Sequence, residues 1–322
     1  MNLEPEVVES EASSEAEDGP DDFDTPYRPA ESIRLPFREA DFPIIMRQLL
    51  AASPANRKVP IFISTLSPLG ALATRLRVKY PYDIMLHAIL LQTIIEAPPS
   101  TGKRCFAEVV RQIIEPTLEA RDKQQRRLEQ EYREKKNARA QNEKIGQDFA
   151  SDNSYSGTAD VCICSMFCAT PQDVDEIYTR KEVMGGGTSR VILVTLEDEA
   201  GAKPALFRAL TDDECQLVHS ALDVIMQDTY TDEGQLQPVQ VMDTSWLDAA
   251  VDRFSSQTAK RVLEMKTAGQ DGYRSLDHYR KRGSVNAYRA AALLCYLYQV
   301  ENRMAEYGSD TLSDASYNAD GR

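Results

Sequence analysis

The 322-residue chain has no apolar run of the roughly 18 residues that a membrane-spanning helix needs, and its start lacks the basic-then-apolar pattern of a secretory signal. A cytoplasmic protein with no membrane partner is the expectation. Metal-ligand spacing is scarce as well. No Cys-x-x-Cys pair occurs, and the three histidines, His87, His219 and His278, are scattered. Of the six cysteines, Cys162, Cys164 and Cys168 share the apolar run 161–169, where a strand places them on one face, so packing explains them better than zinc. An acceptor-site base and lid, which a small-molecule kinase needs, are also missing.

Apolar residues make up 42% of the chain, enough to bury a sizeable core. The net charge of -14 is unevenly placed. Residues 1–31 carry eleven Asp or Glu against one Arg, so the rest of the chain contributes only about four of the negative charges. With Ser, Pro and Gly between the acids and little apolar surface to offset chain entropy, 1–31 reads as an acidic disordered tail. The polar segment 307–322 reads as a second disordered tail.

Between residues 32 and 79 apolar positions recur at helical spacing. Phe42, Ile45, Met46 and Leu49 form one set, and Ile61, Phe62, Leu66, Leu69 and Leu72 another, which predicts two helices split near Ser53-Pro54. Leu76 to Tyr80 alternates like a short strand. Ile84 to Ile95 is an almost unbroken apolar run ending at Glu96, and its second half reads as a buried parallel strand. Two further apolar runs, Ala159 to Ala169 and Val191 to Leu196, are strand candidates of the same kind. Thr211-Asp212-Asp213-Glu214 resembles a capping box before a helix, and longer helices are expected over about 244–265 and 276–304.

The stretch after Glu96 carries the chemistry. Ala97-Pro98-Pro99-Ser100-Thr101-Gly102-Lys103-Arg104 approximates the phosphate-binding pattern Gly-x-x-x-x-Gly-Lys-Ser/Thr between a strand and a helix. In that pattern Gly102 lets the backbone approach phosphate, successive N–H groups and the helix N-terminus attract anionic oxygens, and Lys103 reaches the terminal phosphates. Two departures stand out. Ala97 replaces the first Gly, and Arg104 replaces the hydroxyl residue that would hold magnesium. The segment that follows, 117–144, has nine Lys or Arg against six Asp or Glu and reads as a projecting, solvated helical arm that is also a candidate for nucleic-acid contact.

These features together resemble a family of mobile-element P-loop proteins that look like primase-associated helicases and are often joined to virulence-associated-E-type modules. The resemblance rests on the helix 60–77, the strand into the 97–103 loop and the Ile114-Glu115-Pro116 step into the charged arm. It extends to Phe167-Cys168-Ala169-Thr170-Pro171-Gln172-Asp173-Val174 and Gly187-Thr188-Ser189-Arg190, and covers most of residues 34–305. It implies that the strand ending at Thr170 is similar to a sensor strand. It also implies that Arg190 supplies an arginine near a terminal phosphate, acting across a subunit boundary in a homo-oligomer, while the helix from Arg280 through Arg289 could present a second sensing arginine. One part of the family pattern is absent. An acid-bearing strand would be expected between Lys144 and Ala159, and only the polar linker 151–157 stands there. Without the family, the strand Val191 to Leu196 closing on Glu197 and Asp198 offers an alternative pair of magnesium-holding acids.

The expected architecture is therefore α/β. A P-loop core over 80–200, incomplete in its middle, is preceded by a helical subdomain at 32–79 and followed by a helical region at 201–306. The expected function is ATP binding in a helicase- or primase-like DNA-processing ATPase with weak or lost hydrolysis and magnesium as a companion ion. The competing expectation is a non-catalytic remnant acting through its charged arm.

Overall fold

A computed structural model describes residues 35, 37–99, 101–103, 164–177, 190–196, 207–231, 236–270 and 272–307, with interspersed positions between 106 and 137. The tail 1–31, residues 308–322, the linker 151–157, Gly185 to Ser189, and Glu197 with Asp198 lie outside the described residues. The described part falls within one compact unit, Ile33–Arg322.

The two helices expected near the start are α1, Ile44–Ala52, and α2, Lys58–Leu72, and the break between them is a short 3-10 turn at Ala55–Arg57. Pro54 explains the break, since proline disfavours helical backbone at the residue before it. Helix α2 is buried on nearly all sides. It can be so because its hydroxyls are satisfied locally: Ser64 donates to the Ile61 carbonyl at 3.0 Å and Thr65 to the same oxygen at 2.5 Å.

The chain then builds two small sheets. In the first, β1 (Leu76–Lys79) lies between antiparallel β2 (Leu86–Ala88) and parallel β6 (Gln240–Met242). In the second, β3 (Gln92–Glu96) lies between β4 (Ser165–Ala169) and β5 (Val191–Thr195), all parallel, with Glu96 opposite both Ala169 and Thr195. Alternate residues of β3 serve different faces. Ile95 joins the main core beneath α2, whereas Ile94 packs with Ala169, Val191 and Leu193 against Val174 of α3, Pro171–Ile177. Burial on both faces is why β3 reads as a continuous apolar run rather than an alternating one, whereas the edge strand β4 leaves Phe167 and Cys168 exposed.

The long apolar run differs from the sequence expectation in its first half. Ile84 is 89% exposed and Met85 62% exposed, and both belong to the tip and return strand of the β1–β2 hairpin, not to a buried element. Periodicity cannot separate a hairpin return from a core strand when apolar residues fill both. The switch between sheets is held by Arg289, whose guanidinium donates to the Leu90 carbonyl at 2.7 Å and the Tyr80 hydroxyl at 3.0 Å.

The C-terminal helices are α4 (Asp212–Gln227), α5 (Asp248–Thr267) and α6 (Tyr273–Tyr307). The capping box forms as expected: the Thr211 hydroxyl accepts from the Glu214 backbone N–H and the Glu214 carboxylate accepts from the Thr211 N–H. The Arg208 guanidinium paired with Glu214, together with that backbone hydrogen bond, brings the Glu214 carboxyl down to about 2. Residues of α1, α2, β1, β3, α4 and α6 share one apolar cluster, and β1 takes its parallel partner β6 from within 201–306. The strand expected at Leu76 to Tyr80 is thus the central strand of its sheet, and its parallel partner comes from far along the chain.

Asp228, just past α4, ties that helix to α6. Its carboxylate accepts from the Tyr296 hydroxyl at 2.7 Å and from Arg303, whose Nη1 lies at 2.7 Å. Burial pushes the Asp228 carboxyl up, but the bonds from Arg303 and Tyr296 outweigh it and leave it below its ordinary value of 3.8. A carboxylate depressed in this way stabilises the fold above its unfolded value and loses that contribution as pH falls. Asp228→Ala is expected to lower stability by about 2 kcal/mol at pH 7, because it leaves a partly buried guanidinium and a buried phenol without their acceptor. Urea unfolding of both proteins checks this, and the gap should close as pH drops below the ordinary carboxyl value of 3.8.

Candidate functional site

Three parallel strands end together at one edge of the second sheet, and the loop 97–103 leaves from the middle one. The ladder runs to the very edge: Ala97 N–H donates to the Ala169 carbonyl at 3.1 Å, and Leu196 N–H donates to the Glu96 carbonyl at 2.8 Å. Pro98 and Pro99 lack N–H groups and cannot extend it, so the chain turns away. The Thr101 hydroxyl donates to the Pro98 carbonyl at 2.8 Å and closes the loop on itself. Gly102 follows at φ 79°, a left-handed conformation that L side chains disfavour. Lys103 follows in a turn, and helical Phe106 donates its N–H to the Lys103 carbonyl at 3.2 Å. Ser100 and Arg104 lie outside the described residues.

Lys103 faces back over the strand ends. Its ammonium donates to the carbonyls of Ala97, at 2.8 Å, and Ala169, at 3.1 Å, so it spans β3 and β4 at the mouth of the loop. Asp173 stands nearby at the start of α3. Its carboxylate accepts from the Thr170 hydroxyl at 2.6 Å and the Thr170 N–H at 2.9 Å, and these bonds, with a further contribution from Lys103, hold it below the usual carboxylate range. Ala97 is fully buried and belongs to the core under the sheet, so its methyl group lies away from the loop's open side.

Two charged groups at this edge had no role in the sequence reading. Glu96 is buried on β3 and accepts from the Thr195 hydroxyl of β5 at 2.7 Å. Arg57, in the turn ahead of α2, is buried and donates from Nη2 to the Thr101 carbonyl at 3.3 Å. The available signal for Arg57 was a cation placed directly before a helix whose only charged residue is Lys58 at its start. What could not be read is that this helix end meets the loop.

Arg190 is placed elsewhere. It immediately precedes Val191, which lies opposite Gln92 at the start of β3, so about five strand residues, or ~16 Å, separate its backbone from the loop edge. It does not join Lys103 within one chain. Arg289 is likewise held at the far end of β3 by Leu90 and Tyr80, and Arg280 is bound to Asp277 and Ser255. Among the described residues no three His, Cys, Asp or Glu side chains cluster as metal ligands, and the expected magnesium acids Glu197 and Asp198 lie outside them. The described positions of the arm, up to Asn137, are helical and mostly exposed, with charges paired along the helix, as in Arg126–Asp122 at 2.7 Å and Arg127–Glu131 at 3.2 Å.

Comparison of the chain with known protein families, curated proteins and solved structures finds no match. Among the described residues no helix is long and apolar enough to cross a membrane.

The left-handed backbone at Gly102 is open to a direct check. Gly102→Ala should cost about 1–2 kcal/mol in denaturant unfolding, because a Cβ at positive φ meets the following carbonyl. Gly102→Asn, whose side chain tolerates that conformation better, should cost less. Equal stability of all three proteins would show that the loop does not hold this backbone shape.

Proposed function

We propose that the protein binds ATP through the loop Ala97–Lys103, as a helicase- or primase-like DNA-processing ATPase of a mobile element in which hydrolysis is weak or lost. The observation that carries the reading is the position of Lys103. Its ammonium lies at the carboxyl edge of parallel strands, directly after left-handed Gly102 and at the start of a helix. In open α/β sheets this edge is where ligands bind, and a helix N-terminus there attracts phosphate. A phosphate oxygen, with its full negative charge, competes well for an ammonium that otherwise donates to neutral carbonyls.

Slow turnover follows from the acids. Phosphoryl transfer depends on groups that position the nucleophile and neutralise developing charge. Glu96 is engaged by Thr195 and Asp173 by Thr170, and Arg104 stands where a magnesium-holding hydroxyl would be expected. The rival arrangement assigns magnesium to Glu197 and Asp198. A non-catalytic protein acting through the arm 117–144, with nucleic acid as partner, is the other reading in keeping with the pairing of charges along that helix.

Lys103→Ala should weaken ATP binding about tenfold or more, the loss of one charge-assisted contact worth roughly 1.5–3 kcal/mol. Calorimetry checks it, and equal affinity would remove the phosphate-loop assignment. Phosphate release with magnesium should stay far below the ~1 per second of a working enzyme. Turnover at that rate, abolished by Lys103→Ala and by a Glu197→Gln, Asp198→Asn double substitution, would establish the rival arrangement instead. For Arg190 the distance to its own loop leaves only a role toward a neighbouring copy. Arg190→Ala should then reduce nucleotide-dependent assembly or residual turnover, measured by light scattering and phosphate release, and no change in either removes the role.

A further inference from the structure

Among the described residues, Arg57 has no ion-pair partner. The residue is only 8% exposed, yet among the described residues no carboxylate lies within ion-pair distance of its guanidinium. Its one side-chain hydrogen bond there runs to the neutral Thr101 carbonyl at 3.3 Å, and its Nε is buried with no partner at all. Among the described residues, the acids of this region have other partners: Glu39 pairs with Lys58 at 2.5 Å, Glu96 with the Thr195 hydroxyl, and Asp173 with Thr170. A buried cation without a counter-charge is strongly disfavoured, and a protein retains one chiefly where an anion completes the site.

The fold brings this cation to the loop for a definite reason. Helix α2 runs antiparallel to β3: its Ser67 hydroxyl meets that of Thr93 at 3.1 Å, and Gly70, nearer the helix end, approaches the Ile89 carbonyl just ahead of the strand. The N-terminus of α2 therefore sits at the carboxyl edge of the sheet, and Arg57, one residue ahead of the helix, reaches the loop at Thr101. The positive end of the α2 dipole adds to the same field.

We propose that Arg57 is a second cationic ligand of the 97–103 loop, pairing with a phosphate group of the bound nucleotide so that Lys103 and Arg57 hold the polyphosphate from two elements. This rests on the reading of the loop as a phosphate site. Arginine suits the task because its planar fork offers several donors to one phosphate. It also supplies charge at a site where Arg104 replaces the usual hydroxyl.

The test uses the full chain and two probes, ATP and inorganic pyrophosphate, with calorimetry for affinity and urea unfolding for stability, on wild type, Arg57→Met, Arg57→Lys and Lys103→Ala. The expected result has two parts. Without ligand, Arg57→Met is as stable as wild type or more so, because an uncompensated charge has been removed. With ligand, Arg57→Met binds both probes about tenfold more weakly, and Arg57→Lys recovers part of the loss. A purely structural Arg57 gives the opposite pattern, so an Arg57→Met protein that is unfolded or clearly less stable without ligand overturns the proposal. Wild-type affinity in Arg57→Met alongside lost affinity in Lys103→Ala overturns it too, and leaves the loop assignment standing. If wild type itself binds neither probe, the loop reading fails and the Arg57 proposal with it.

Discussion

The packing of α2 against β3 is the contact on which the rest of the structure depends. A helix buried on nearly every side needs partners on every side, and α2 finds the parallel sheet on one side and α1 and α6 on the others. Close approach is possible because Gly70 has no Cβ: one placed there would sit 3.2 Å from the Ile89 carbonyl. The Ser67–Thr93 hydroxyl pair then settles the position of the helix along the strand. Buried hydroxyls carry a cost unless they are paired, so this pair disfavours any sliding of the helix that apolar contacts alone would tolerate.

That placement links the N-terminal helices to the site. With α2 antiparallel to the strands, its N-terminus lies where the strands end, beside the 97–103 loop, and Arg57 arrives buried at Thr101. The carboxyl edge thus gathers the starts of three helices: α2, α3 at Thr170–Pro171, and the helix that follows Lys103. Helix N-termini carry partial positive charge, and Lys103 and Arg57 add two formal ones. Against these stand Asp173 and Glu96, both already hydrogen-bonded by threonine hydroxyls. Among the described residues, two formal positive charges thus face two hydrogen-bonded carboxylates at this edge, in a chain that as a whole is acidic at -14.

The remaining polar contacts between distant segments work as ties. Arg289 pins the crossing from the hairpin to β3, Asp228 joins α4 to α6 through Tyr296 and Arg303, and Glu301 of α6 accepts from Arg47 and from the Ile44 N–H at the start of α1. Each joins residues far apart in the chain. They explain why the arginines of α6, which resemble a sensing group when considered by type and order, are occupied in holding the fold.

Local elements were legible in the sequence wherever a short-range rule governs them. The break before α2, the capping box at Thr211, the parallel strands β3, β4 and β5, and the turn into a helix at Gly102-Lys103 all follow from proline, hydroxyl and glycine chemistry or from apolar runs of strand length. By itself the sequence determined that a glycine-lysine loop joins a buried strand to a helix. Only the tertiary structure decided which groups meet there. It split the apolar run 84–95 between a hairpin and a core strand, put Arg190 at the far end of the sheet and brought Arg57 to the loop. These outcomes depend on strand order and on the direction of α2, which are set by long-range burial. No local pattern encodes a contact between residues 57 and 101, because it exists only once the helix between them has packed on the sheet.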